Sequence, residues 1–173
     1  MAARKPVSSR NLDGYGNAEL PWERVQTLLD NHTFDNSVPV VSTVRPNGLP
    51  HAVRVGAIYV DGDIYFVSHP QSRRARNLAA QPATALTSGM EGIDVSFEGE
   101  SVRVTDPAEV AKIAEAYSVH GWPAEATGDQ ITAPYNAPSA GPAPWNVYRF
   151  RFTKAIGGAT AEPYGATAWE FAK

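Results

Sequence analysis

The sequence predicts a mainly β protein of the α+β kind, an antiparallel barrel with a few flanking helices. Three observations carry that expectation. Runs rich in β-branched residues at 38–44, 50–60 and 64–67 follow one another through turn-forming residues, the pattern of an antiparallel meander. A later strand changes phase: Val95 and Phe97 keep one parity, Val102 and Val104 the other, with the slip near Gly99. Side chains in a strand repeat every two residues, so a bulge or bend must absorb the slip, and this curls a sheet towards closure. Finally, residues 145–152 alternate cleanly, with Tyr148, Phe150 and Phe152 on one face and Arg149 and Arg151 on the other.

Taken in order, residues 1–19 are polar and rich in Gly, Ser and Asn, and read as an arm that orders only on a partner surface. Residues 20–173 are expected to form a single domain. Pro21 suits the first turn of a helix in which Trp22, Val25, Leu28 and Leu29 share a face. The first two strands are joined by Arg45-Pro46-Asn47-Gly48, where Pro presets its φ and Gly accepts a positive one. Asp61-Gly62-Asp63 makes the next hairpin.

A short helix is expected over 72–80, with Ser72 near its N-cap and Pro82 beyond its end. A strand at 83–88 comes before the phase-slipping one. Asp106-Pro107 is a cap followed by Pro at the first helical position, opening a helix to about Val119. Residues 120–144, with several prolines and glycines, read as a long excursion of the kind that is often functional. Residues 166–171 supply a last strand.

Composition narrows the chemistry. The 173 residues are 43% hydrophobic and 19% charged, as in a globular chain, and the net charge of −3 argues against a nucleic-acid partner. With no cysteine, disulfides, thiolate nucleophiles and cysteine metal sites are excluded. No apolar run is long enough to span a bilayer, and no apolar run follows the basic residues of the N-terminus, so no membrane partner or secretory leader is expected and the protein is read as cytoplasmic. The four histidines, at 32, 51, 69 and 120, lack metal-ligand spacing, and no metal is expected. P-loop, dinucleotide fingerprint and nucleophile elbow are absent as well.

What remains is a basic cluster. Ser72, Arg73, Arg74, Arg76 and Asn77 gather three guanidinium groups and two polar side chains around one helix start. Such a start exposes unpaired N–H groups and a partial positive charge, and arginine matches phosphate oxygens with a bidentate fork. An arginine run is ordinarily a solvated helix face. This one follows directly on a meander strand and has no compensating acids beside it, which favours a phosphate site.

Residues 41–82 (VSTVRPNGLPHAVRVGAIYVDGDIYFVSHPQSRRARNLAAQP) resemble the core of the pyridoxamine 5'-phosphate oxidase-like split β-barrel family, an FMN-binding split barrel. The resemblance is closest to the B group of flavin/deazaflavin oxidoreductases, because Leu20-Pro21-Trp22, Asp106-Pro107-Ala108 and the stretch 166–171 match further motifs usual there. It implies a homodimer with cofactor sites at the interface, and a cofactor that is coenzyme F-420 or, alternatively, FMN. It places the cofactor ring along Val53, Arg54, Val55, Gly56, Val67 and Ser68, with His51 nearby. Ser72, Arg73, Arg74, Arg76 and Asn77 would hold the phosphate, Arg74 chief among them.

The cofactor carries the hydride in such proteins, so no catalytic side chain is expected. The implied activity is a deazaflavin-dependent reductase passing hydride to an unsaturated or quinone-like small molecule. Alternatives are an FMN-dependent oxidoreductase and a non-catalytic flavin or tetrapyrrole binder. Tyr117, Trp122, Trp145 and Trp169 are candidate substrate-pocket walls, and each is equally readable as packing. Arg4, Lys5 and Arg10 could form a groove for the acidic tail of F-420. Two departures stand out: Ala168 and Glu170 replace arginines frequent in relatives, and the strand Arg54-Val55-Gly56-Ala57 lacks a bulky Trp. The arginine–histidine signature of true pyridoxamine phosphate oxidases is also missing.

Overall fold

The computed structural model describes residues 4–172 apart from 33 and 35, so residues 1–3 of the expected arm and Lys173 lie outside it. Strands β1 (Ser8–Asn11), β2 (Val40–Val44), β3 (Pro50–Arg54), β4 (Ala57–Val60), β5 (Asp63–Ser68), β6 (Ala83–Met90), β7 (Ile93–Val104), β8 (Glu125–Thr127), β9 (Gln130–Thr132), β10 (Trp145–Ala159) and β11 (Ala166–Glu170) form one sheet. Every pairing within it is antiparallel. The helices are α1 (Trp22–Asp30), α2 (Arg73–Ala80) and α3 (Pro107–Val119). This is the split barrel the sequence predicts. Among the described residues no helix is long and apolar enough to cross a membrane.

Strand β10 is the spine. One of its edges pairs with β9 at Trp145 and Asn146 and then with β7 as far as Ala159. The other edge pairs with β5 through Phe150 and, from Lys154, with β11. The sheet splits between the start of β5, paired from Ile64, and the end of β11, at Glu170. Its register with β7 shifts between Phe152 and Lys154, leaving Thr153 as an extra residue opposite Gly99. A Cβ on Gly99 would lie 2.1 Å from the Arg151 carbonyl oxygen, so only glycine admits this close crossing.

The irregularity predicted near Gly99 is therefore found, but as a bulge in the partner strand, and β7 itself alternates without a slip, its two faces serving different clusters. Ser101, buried, still keeps the parity of Phe97, and Val104 takes the other. Val102 shares the face of Val104, but only Val104 is covered by the cluster beneath α3, and Val102 stays 44% exposed.

Strands β5 and β10 are buried on both faces because they serve two cores. Ile64, Phe66, Tyr148, Phe150 and Phe152 face the barrel interior, closed at one end by Trp22, Val25 and Leu29 of α1. Tyr65 and Val147 face a second cluster beneath α3, with Val110, Ile113 and Tyr117.

Two further expectations are corrected. The stretch 50–60 is broken at Val55-Gly56, so β3 pairs with β2 while β4 pairs with β5. The arm does not await a partner surface: β1 pairs with β11, and Trp22 donates its indole N–H to the Arg4 carbonyl. Backbone pairing and a buried aromatic neighbour outweigh its polar composition.

Candidate functional site

A cavity of about 580 Å³ opens where the two cores meet. Its walls come from the β3–β4 break, the end of β5, the start of α2, Tyr117 of α3 and the excursion after it. Local chemistry builds each wall. Ser72 caps α2 by accepting the Ala75 N–H at 3.0 Å, and its hydroxyl lies 2.7 Å from that of Ser68. The fully buried Tyr117 hydroxyl donates to the Gly56 and Tyr65 carbonyls, both at 3.2 Å, and so holds the break against β5. Burial raises the pKa of that hydroxyl above the ordinary tyrosine value and keeps it a donor.

Of the residues singled out from sequence, the structure brings His51, Val53, Arg54, Val55, Gly56, Val67, Ser68, Ser72, Arg73 and Arg74 to this cavity, together with Tyr117, Trp122 and Trp145. Three others lie elsewhere. Arg76 is exposed on the outer side of α2 and outside the cavity lining. Asn77 is wholly buried beneath that helix, donating to Thr43 Oγ1 at 3.0 Å, so it fastens α2 to β2. Trp169 is 1% exposed in the barrel core, edge-on to Trp22 at 5.4 Å. Helical periodicity separates the first two from Arg74, since successive residues turn by about 100°.

Arg4 is not available for a tail groove either. Its guanidinium donates to the Phe152 and Ala172 carbonyls and stacks 4.7 Å above the Phe152 ring. It pins the chain terminus to the barrel.

The electrostatics of the cavity are one-sided. Among its described lining residues are Arg54, Arg73 and Arg74, and no carboxylate. Arg74 donates to the Val67 carbonyl at 3.0 Å and lies 5.4 Å from the Phe66 ring, yet its Nε is buried without a partner. Burial lowers its pKa to about 10, partly offset by Tyr148 and Tyr117. His51 Nδ1 is likewise covered and unpaired. Burial, then the nearby Arg45, Arg74 and Arg73, hold His51 below its usual range and therefore neutral at pH 7. Unsatisfied donors and uncompensated positive charge fit a phosphate-bearing ligand, and the apolar aromatic walls suit a planar ring system.

Sequence reasoning missed Val38, His69, Tyr135, Asn136, Ala137, Ser139 and Ala140 as cavity lining. The excursion was conspicuous by its length, but it folds as the small β8–β9 hairpin and a 3-10 turn, Pro138–Ala140, and no periodicity marks which residues face inward.

The sequence profile of the family described as pyridoxamine 5'-phosphate oxidase matches residues 23–152. None of the curated proteins matches the chain. Several solved structures share the fold. A pyridoxamine 5'-phosphate oxidase-related, FMN-binding protein from Nostoc punctiforme is 16% identical, with a TM-score of 0.58 over 86% of this chain and 90% of that one. An F-420 reductase is 20% identical, with a TM-score of 0.51 over 73% and 94%. PhzG from Burkholderia lata, solved with tetrahydrophenazine-1-carboxylic acid, is 11% identical, with a TM-score of 0.56 over 84% and 81%.

Proposed function

The chain belongs to the pyridoxamine 5'-phosphate oxidase family, and on that premise we propose that it is an F-420-dependent oxidoreductase reducing an unsaturated or quinone-like small molecule. The observation that carries this reading is a cavity whose described lining holds no carboxylate and in which Arg74 keeps a buried donor unpaired among the described residues, beside aromatic walls. When bound, such a cofactor supplies the hydride. The chain's own residues bind and orient: Ser72, Arg73 and Arg74 take the phosphate, Val53, Val55 and Gly56 support the ring, and Tyr117 keeps that support rigid.

A second, shallower groove supports F-420 over FMN. It shares Val38 and Arg54 with the cavity and runs outward past Ser37, Ser88 and Ser96. FMN ends at its phosphate, whereas F-420 continues into an acidic tail that would pass Arg54. Asp94 is the one carboxylate among the groove's described lining residues, and it opposes such a tail. FMN remains the second reading because its ribityl phosphate suits the same cations, and Arg54 would then have no role.

Purification from a host that makes FMN but no F-420 separates the two. A colourless protein that binds added F-420 is expected, and a tightly bound yellow flavin would sink the F-420 reading. Arg54→Ala is expected to weaken F-420 binding about two- to fivefold, as for an exposed ion pair, and to leave FMN binding unchanged.

We also propose a homodimer. Strand β3 is a sheet edge whose Pro50, Ala52 and Arg54 are exposed, and Leu49 (58% exposed) and Val38 (50% exposed) lie at its two ends. Light scattering after size exclusion should return twice the 18.6 kDa chain mass; a monomer at micromolar concentration would reject this.

A further inference from the structure

The segment from Tyr135 to Gly141 is clamped at both ends by tryptophans. At one end the Trp122 indole donates to the Tyr135 carbonyl at 2.7 Å, and the Tyr135 hydroxyl donates back to the Gly121 carbonyl at 3.3 Å. At the other, the Trp145 indole N–H is shared between the Ala140 and Gly141 carbonyls, at 3.3 and 3.2 Å. The two indoles face each other with ring centres 5.8 Å apart, and Tyr117 meets Trp122 edge-on at 5.0 Å. The segment is therefore held against an aromatic wall by the polar edges of that same wall.

Between the clamps lies Asn136, which also lines the cavity. Its Oδ1 accepts the Ala137 N–H at 2.8 Å, and this settles the orientation of the amide, because the reverse assignment would set two donors against each other. Its Nδ2 is consequently the free end. That nitrogen is covered and has no hydrogen-bond partner among the described residues. Buried amide donors are almost always satisfied, so one left unpaired on a residue of the cavity wall points to a ligand acceptor.

We infer that Asn136 is a specificity residue of the acceptor site: its amide donates to a carbonyl oxygen of a planar ring held against Trp122 and Trp145. The inference rests on the oxidoreductase reading for its biological sense, though not for the binding it asserts. Neutrality matters here. The arginines serve the phosphate, whereas an uncharged amide favours a quinone or enone oxygen over a carboxylate.

The test uses two probes of one shape, menadione, a naphthoquinone, and 2-methylnaphthalene, which lacks both oxygens. Each is titrated by calorimetry into the full-length protein, with and without saturating F-420 or FMN. Asn136→Asp keeps the Oδ1 that caps the turn and replaces the free donor with an acceptor. The expected result is roughly tenfold weaker menadione binding in Asn136→Asp, the worth of one hydrogen bond, with 2-methylnaphthalene bound alike by both proteins. Menadione binding that is unchanged, or undetectable in the wild type, overturns the inference, as does an equal loss for both probes, which would mark Asn136 as a structural residue of the turn. If neither cofactor binds but menadione still depends on Asn136, the acceptor site stands and the cofactor reading alone fails.

Discussion

Gly99→Ala is expected to destabilise the fold by on the order of 3 kcal/mol, lowering the melting temperature by about 10 °C. The cause is a collision that no side-chain rotation relieves. The new methyl would stand 2.1 Å from the Arg151 carbonyl oxygen and 2.6 Å from the Phe152 Cα, both backbone atoms. Those atoms are fixed by the β7–β10 ladder on either side of the Thr153 bulge. The matched control is Gly158→Ala, in the paired strand β10, where an added Cβ meets nothing within 4 Å and the variant should behave as wild type. Thermal and urea denaturation of both decide the matter. A Gly99→Ala protein within 0.5 kcal/mol of wild type, roughly the scatter of surface substitutions, would show that the bulge does not constrain closure.

Arg74→Ala is expected to act in opposite directions on binding and on stability. Its cation lies beside a cavity whose described lining carries no carboxylate, and its Nε has no partner. Burial lowers its pKa to about 10 in the folded protein, below that of a free arginine. The folded state therefore carries the charge at a cost, on the order of a few kcal/mol, offset in part by the Val67 hydrogen bond and the Phe66 ring.

Removing the side chain should leave the ligand-free protein as stable as wild type or more so, while cofactor affinity falls at least about a hundredfold. The cost is fully present at pH values below about 10, where folded and unfolded chains both hold the proton. It is relieved as pH rises above that, because the unfolded chain then binds more protons than the folded one. Any stability gain of Arg74→Ala should accordingly shrink above pH 10. Calorimetric unfolding and cofactor titration check both halves, with the exposed Arg76→Ala as the neutral control. An Arg74→Ala protein of unchanged affinity would move the phosphate site elsewhere.

Much of the fold was legible because its signals are local. The Ser72 and Asp106 caps, Pro at the start of α3 and the β-branched runs act within one helical turn or one strand, and the structure keeps them. The parity difference on either side of Gly99 pointed to the right place for another reason: Val95 and Phe97 face the barrel interior, Val104 faces the cluster beneath α3, and the bulge lies across the sheet. It could not say on which strand the extra residue lies. Gly56 was the sequence signal for the break at Val55-Gly56, but a glycine inside a strand marks a bulge or bend without showing that the chain changes its pairing partner there.

The site divides along the same line. By itself the sequence determined that a cluster of cations stands at a capped helix start, next to a strand end, without acids nearby. It also determined the aromatic complement from which a wall could be made. Only the tertiary structure decided which of these residues share a space: Arg74 turns towards the cavity while Arg76 turns away, and Trp122 and Trp145 become its wall while Trp169 fills the core. The same holds for Asn136, whose open donor exists because two tryptophans more than twenty positions apart clamp the segment around it. A helix start and its charge are set by neighbours in the chain. Which face docks, and which polar atom is left without a partner, is set by contacts between residues far apart in sequence, and these exist only once the barrel has closed.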